Sequence, residues 1–353
     1  MPRRSCTNLP EIDPTPIFEA FRGSYSTELL AAAVAHFNLF AHLQHGRLSF
    51  DELRGCLGLE VRPANVLFTA LCAMGLLTRD ADQRLALTPL AQEHLTPGGP
   101  FEVSDYVGLV AQNPGVLEMV ERLRTNRPAG AKPAGPGASF IYREGLESAM
   151  EEEQSARRLT LALAGRAKNV APVLAQRLPI DEKVTTLLDV GGGTGIYSIA
   201  LLQRHEHLRA IVLDRAQVLK VALEMGNEYG VADRLELLPA DMFTDEFPTH
   251  CDVILLSNIL HDWDVPECQT LVNRCGAALP TGGRLVIHDV FLNDDLCGPL
   301  PIALYSAALF SLTEGRAYSA AEYRQMLRNA GLNPANEITP TLIHCGFLSG
   351  IKT

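Results

Sequence analysis

The sequence has no excess of basic charge, no cysteine pairing pattern and no unbroken hydrophobic run, and each absence removes a class of function. Lysine and arginine number 30 against 41 aspartates and glutamates, a net charge of −11. A surface that acidic repels phosphate backbones and anionic lipid, so neither nucleic acid nor a membrane surface is an expected partner. The eight cysteines, Cys6, Cys56, Cys72, Cys251, Cys268, Cys275, Cys297 and Cys345, are scattered, with no C-x-x-C pair and no His/Cys spacing that builds a zinc tetrahedron. They read as reduced thiols in a cytoplasmic chain that holds no metal. The N-terminal MPRRSCTNLPEIDPTP lacks the apolar core of a secretory signal, so no export signal is expected. The longest apolar stretch, Leu29 to Leu43, is interrupted by His36, Asn38 and His42 and falls short of the ~20 residues that a bilayer span requires. Internal repeats and low-complexity tracts are also missing.

What is present suits an ordinary globular protein. The 353 residues are 47% apolar and 20% charged, enough for two domains or one large domain with a helical annex. Between residues 15 and 100, a helical pattern through TELLAAAVAHFNLFAHL is followed by a short helix capped by Ser49. Glu52 stands at the capping-box position of that helix. A helix in ANVLFTALCAMG and two short strands around the turn Asp80 to Gln83 complete the order of a winged helix. This stretch carries six arginines, no lysine and eight acids, so the phosphate-binding term of a DNA reader is missing, and a structural or dimerisation role is expected instead. Residues 114–140, with NPGV and RPAGAKPAGPGAS, read as a loop or hinge. A helical pattern resumes at Tyr142.

The second half alternates strand and helix. Candidate strands are residues 185–190, 209–214, 234–239, 251–256 and 283–288, the pattern of βαβ units forming a parallel sheet with ligands at the strand carboxyl ends. The first strand runs into Asp189-Val190-Gly191-Gly192-Gly193-Thr194-Gly195. Gly191, Gly193 and Gly195 permit a tight strand-to-helix turn with bare backbone against a ligand. A P-loop needs Gly-Lys-Ser/Thr, which is absent, and a dinucleotide fingerprint counted from Gly191 needs Gly or Ala where Ile196 stands. S-adenosylmethionine, cationic and free of phosphate, is favoured by the acid before the glycines. Asp214, 21 residues after Gly193, stands where a carboxylate can take two ribose hydroxyls. Asp241 could take an adenine amine, with Met242 against the ring. Turn and cap aspartates are the competing explanation.

With LLDVGGGTG, VLD, ADMF, LLSNILHDWDVPE, LPTGGRLVIHDVFL and EGRAYSAAEYRQMLRNAGL, nearly the whole chain resembles the class I S-adenosylmethionine-dependent small-molecule O-methyltransferases, of plant caffeate and hydroxyindole and bacterial antibiotic-tailoring type. The resemblance implies an α/β fold: a Rossmann-like seven-stranded sheet with an antiparallel last strand, its final pair roughly residues 336–341 and 346–352. It also implies an N-terminal winged-helix-like dimerisation domain and a homodimer. The expected divisions are 1–112 for that domain, 113–180 for a helical linker covering the substrate, and 181–353 for cofactor binding.

The candidate base is His261, just beyond the fourth strand, because a phenol must lose its proton to attack a sulfonium methyl and a neutral imidazole can accept it. In the family a histidine in this place is the base and a glutamate orients it; here the matching residue is Asp289, one methylene shorter. A second family acid falls on Ala317, with Glu314 and Glu322 nearby. Ser257 and Trp263 are assigned to the cofactor. Asp262 and Met150, the latter at a family position closing over cofactor and substrate, are assigned to the acceptor. Tyr305, Ala308 and Leu312 share one helical face that could line an aromatic pocket or pack as core. His288 and His261 each precede an aspartate, but His-Asp neighbours on a strand point to opposite faces, which argues against a metal there. Carbon or nitrogen methylation, and a catalytically silent ligand-binding homologue, remain alternatives.

Overall fold

The computed structural model describes residues 4–127 and 153–353. These divide into two compact units. One takes in the described residues of Ile17–Lys132 together with Leu292–Ser319; the other takes in those of Met1–Pro16, Pro133–Phe291 and Ala320–Thr353.

The first unit is mostly helical. Ser49 accepts from the Glu52 N–H while the Glu52 carboxylate takes the Ser49 N–H, so both halves of the capping box form and start the helix Phe50–Leu57. The helix Val61–Ala73 begins three residues earlier than its apolar pattern suggested, Pro63 being tolerated in a first turn. Strands Leu77–Arg79 and Leu85–Leu87 pair antiparallel, and Leu48 bridges to Leu85. The stretch Leu29 to Leu43 is not one helix. It forms Ser24–Ala31, a π-helical turn Ala32–His36 and Leu39–Leu43, broken at Asn38 with φ 46°. Leu29, Leu39, Phe40 and Leu43 are buried in this unit's own core, so the stretch expected to serve association is consumed internally. Its exposed apolar side chains are others, chiefly Ile17, Phe21, Phe101, Tyr106 and Leu109.

Two expectations need correction here. Pro114–Thr125 is a helix and not a loop, because its proline occupies the first helical turn, where no N–H is needed, and Asn126 ends it in the left-handed conformation. The remainder of that proline- and glycine-rich stretch, and Met150, lie outside the described residues. The expected cofactor domain 181–353 is also not continuous, since residues 292–319 pack with the N-terminal unit. The helix Leu300–Leu312 lends Ala307 and Phe310 to that unit's core. Arg62, 4% exposed, ties the same segment down: Nη1 donates to the Thr313 carbonyl, while Nε and Nη2 donate to the Asn126 side-chain and main-chain oxygens, each at 2.8 Å.

The second unit is built on a sheet: β1 (Thr186–Val190), β2 (Arg209–Asp214), β3 (Leu235–Pro239), β4 (Val253–Ser257), β5 (Arg284–Leu292), β6 (Leu332–Pro334), β7 (Thr339–Pro340) and β8 (Cys345–Lys352). The order is β7-β8-β5-β4-β1-β2-β3, with β6 also pairing β8. Strands β1 to β5 are mutually parallel, and β8 runs antiparallel to β5 and β7. Strand β4 is buried at all five positions, as a strand covered on both faces must be. The chain moves outward from β1 in both directions, so the carboxyl ends of β1 and β4 flank a topological switch point. Among the described residues no single helix is long and apolar enough to cross a membrane.

Replacing Arg62 by methionine keeps its aliphatic packing but strips the Thr313, Gly315 and Asn126 carbonyls of this donor. The variant should lose about 2–5 kcal/mol of stability. A lower urea midpoint with an intact far-ultraviolet spectrum is the expected reading; an unchanged midpoint contradicts it.

Candidate active site

The glycine loop follows β1 with φ of 68°, 59° and 68° at Gly191, Gly193 and Gly195, a region closed to most side chains. A Cβ on Gly191 would come within 2.6 Å of Ile259, in the segment after β4, so this glycine lets the two loops meet. One on Gly192 would lie 2.7 Å from the Asp189 carboxyl carbon, whereas Gly193 faces open space. Asp214, at the end of β2, is half-buried. Its Oδ2 accepts the Gly193 N–H at 2.9 Å and its Oδ1 the Arg215 N–H at 2.7 Å. Burial pushes its pKa up against those two N–H groups. A carboxylate has about four lone-pair sites, so two remain for a ligand's hydroxyls.

Asp189 is placed differently from the expectation of a rim acid. It has no exposed surface and sits beneath the loop, Oδ2 accepting from the Ser198 hydroxyl at 2.6 Å while Oδ1 has no hydrogen-bond partner. Burial pushes it up to about 7, so it is not a dependable negative charge. It supports the loop from below. Asp241 serves as a turn residue, its Oδ1 accepting the Phe243 N–H at 2.8 Å, yet it and Met242 keep exposed surface. Trp263 is 6% exposed and packs edge-on against Phe243, and the Ser257 hydroxyl is engaged by His288 Nδ1 at 2.7 Å and Asn258 at 3.2 Å. Those two therefore shape the wall and offer a ligand little surface. Open glycine backbone, the spare capacity of Asp214, and an unsatisfied carboxyl oxygen beneath the loop fit a phosphate-free ligand rich in hydrogen-bond donors, as S-adenosylmethionine is.

His261 lies in the 3₁₀ turn Leu260–Asp262 beyond β4 and is 4% exposed. Its Nδ1 is 2.5 Å from Asp289 Oδ1. Strand β5 continues past its expected end at residue 288, and there the side chains alternate as expected. His288 bonds Ser257 and, at 3.1 Å, Thr341, while Asp289 turns to His261. The short aspartate side chain reaches because Ser257 and His288 are in register across β4 and β5, which brings the start of the histidine turn alongside Asp289. Asp289 also accepts the Val290 N–H at 2.8 Å and, on Oδ2, the Tyr323 hydroxyl at 3.0 Å. On the other side, Asp262 Oδ1 is 3.7 Å from His261 Nε2.

Burial disfavours the charged form of His261, but the charges of Asp289 and Asp262 outweigh it and raise its pKa above the ordinary value. Asp289 is lowered: burial opposes its charge, and His261, Val290 and Tyr323 together prevail. Burial carries Asp262 up to about 6 and depresses His288 to about 3, so His288 is a neutral spectator. With Nδ1–H donating to Asp289, neutral His261 carries its accepting lone pair on Nε2, which gives that atom a fixed orientation as a proton acceptor.

Tyr323 is the member that sequence reasoning missed. Its signal was the helix Ala320–Asn329, whose buried positions Ala320, Tyr323 and Leu327 are spaced for one face, and a tyrosine buried there needs a partner for its hydroxyl. Ala317 is buried. Glu314 and Glu322 are both half-buried, and the charges that bear on His261 include those of Asp289, Asp262 and Arg166. Tyr305 and Ala308 are half-buried and Leu312 exposed, the least buried face of their helix, and Tyr305 lies under the Arg22 guanidinium at 3.7 Å.

Residues 147–333 match a family model described as an O-methyltransferase domain. A 3-hydroxy-5-methyl-1-naphthoate 3-O-methyltransferase of Streptomyces sahachiroi is 35% identical over 329 residues, covering 92% of this chain and 91% of that one. An L-tyrosine C(3)-methyltransferase of Streptomyces lavendulae is 31% identical over 311 residues, covering 86% and 82%. Among solved structures, an O-methyltransferase family 2 protein from Planctomyces limnophilus in complex with apigenin matches with a TM-score of 0.90 and 48% identity over 100% of both chains.

If Asp289 holds the imidazolium as this geometry requires, Asp289→Asn should lower the His261 pKa by about one unit or more, because burial is then opposed by Asp262 alone. Titration of the His261 ring by NMR measures it, and an unshifted midpoint would refute the coupling.

Proposed function

The chain belongs to the O-methyltransferase family, and we propose that it methylates a phenolic hydroxyl of an aromatic or polyketide-like small molecule in secondary metabolism, with His261 as general base. The observation that carries the reading is the buried contact of His261 Nδ1 with Asp289. S-adenosylmethionine, the methyl donor of this family, supplies when bound a methyl group already activated on a sulfonium. The residues suited to hold it are Asp214, the backbone of Gly191 and Gly193, and Asp241 with Met242.

The protein's own part is alignment and proton removal. A phenol of pKa near ~10 attacks poorly until it loses its proton. His261 Nε2 accepts that proton, and the buried Asp289 carboxylate offsets the charge that then forms on the ring. The raised pKa of His261 makes it a stronger base than free imidazole, at the cost of being protonated over more of the acid range. Alignment of acceptor and methyl adds a further part of the rate. Tyr305, Ala308 and Leu312 are assigned to the acceptor side.

A second reading has an observation behind it, the likeness to a tyrosine C(3)-methyltransferase. Methylation at a ring carbon next to a phenol also begins with loss of the phenolic proton, so the same base serves it. Locating the new methyl by NMR separates oxygen from carbon or nitrogen, and absence of turnover with every phenol tried would leave a ligand-binding homologue.

We also assign the chain to a homodimer formed through the helical unit. Its exposed Phe21 (82%), Tyr106 (78%) and Leu109 (76%) support this, since large apolar side chains in open solvent commonly mark an association surface. Sedimentation should give about twice 38.4 kDa. A monomer at micromolar concentration would contradict it.

His261→Ala should lower kcat by about 10²–10⁴ and leave S-adenosylhomocysteine affinity nearly unchanged. Asp214→Ala should do the reverse, weakening that affinity by about 10–150-fold in calorimetry. In the wild type, kcat/KM should rise with pH as His261 loses its proton, with a midpoint above the ordinary histidine value. A loss of only a few-fold in His261→Ala would reassign the proton removal.

A further inference from the structure

We propose that Tyr323 is a positioning residue for the methyl-transfer reaction, acting through Asp289 on the His261 imidazole. The inference rests on the reading of His261 as base and adds a third member to its support. Tyr323 is fully buried, its hydroxyl 3.0 Å from Asp289 Oδ2, while Oδ1 of the same carboxylate takes His261 Nδ1 and the Val290 N–H. The two oxygens are thereby given separate duties. A carboxylate anchored on Oδ2 cannot rotate about its Cβ–Cγ bond without breaking a buried hydrogen bond, so Oδ1 stays on the imidazole and fixes both ring orientation and tautomer.

The ring of Tyr323 is itself fixed by packing. It meets Phe291 edge-on with centroids 5.5 Å apart, and Phe291 lies two residues beyond Asp289 on the same strand face. The helix Ala320–Asn329 thus docks against the extension of β5 through the residue that also holds the carboxylate. An aspartate has one rotatable bond fewer than a glutamate and less reach, and the tyrosine supplies the restraint from behind.

Charge completes the argument. His261 is faced by Asp289 from β5, Asp262 from its own turn and Arg166 from the helix Glu153–Arg177; Asp289 is faced by His261, Tyr323 and, on its N–H side, Val290. The Tyr323 hydroxyl disperses part of the negative charge of Asp289. Its removal leaves that charge more concentrated on the imidazolium, and the His261 pKa rises.

The test is Tyr323→Phe, which keeps ring and packing and deletes one oxygen, assayed beside His261→Ala. The expected result is a fall in kcat of about 3- to 30-fold with the KM for S-adenosylmethionine unchanged, and an alkaline shift of the acid limb of kcat/KM by about half a unit. An unchanged acid limb, with or without a loss of rate, overturns the proposal, because a residue that only fills space does not move it. Site-specific replacement of Tyr323 by 3-fluorotyrosine, a stronger donor of the same shape, should move the limb the opposite way and covers the case in which the phenylalanine variant does not fold. A small effect of His261→Ala would refute the base assignment itself; a large one beside an inert Tyr323→Phe would refute only the tyrosine's role.

Discussion

Burying an imidazole beside a carboxylate is costly for each group alone, since either charge loses its water, and it becomes tolerable only when the two face each other and the remaining lone pairs are met. His261 and Asp289 meet that condition. Asp289 receives three donors, from a ring nitrogen, a main-chain N–H and a tyrosine hydroxyl, and none of its charge is left unanswered. Much of the sheet serves this pair. Strand β5 is extended so that residue 289 falls after the register partner of Ser257, and the turn after β4 bends the histidine back towards it. The helix that follows the inserted segment returns to deliver the tyrosine.

The glycine loop works by the opposite principle. Where the histidine site is filled with side chains, the loop is emptied of them, and Gly191 and Gly192 lie so close to Ile259 and the Asp189 carboxyl that a single added carbon would collide. Asp189 shows how a correct motif can carry an incorrect electrostatic argument. Its position before the glycines suggested a charge offered to a cation, but burial raises its pKa to about 7 and hides it beneath the backbone. Asp214 is half-buried, its carboxylate already taking the Gly193 and Arg215 N–H groups, and it keeps the surface that Asp189 lacks.

The helical unit is held by a different kind of polar contact. Arg62 is buried among neutral oxygens, donating to three main-chain carbonyls and an amide oxygen, and its guanidinium lies 4.9 Å from the centre of the Phe310 ring. This explains why residues 292–319, which interrupt the sheet-bearing half in sequence, belong structurally to the N-terminal unit. Ala307 and Phe310 give that insertion an apolar face suited to the unit's core.

The sequence alone determined what depends on neighbours in the chain. The inner parallel strands β1, β2, β4 and β5 were legible because they are buried almost throughout and read as nearly continuous apolar runs. The Ser49 capping box spans three residues, and the glycine turn needs only backbone freedom, so both were visible as well. Asp214 and His261 could be located because each falls at the end of such a strand. The tertiary structure decided whatever depends on partners far apart in sequence. Residues 289 and 323 meet across 34 positions, and 62 and 313 across 251, distances over which no periodicity carries information. Burial decided the rest. It turned Asp189 from a rim charge into a support and absorbed Leu29 to Leu43 into a core. It also left Tyr305 and Ala308 half-buried and Leu312 exposed on one side of their helix, because desolvation is a property of the assembled fold and not of any residue within it.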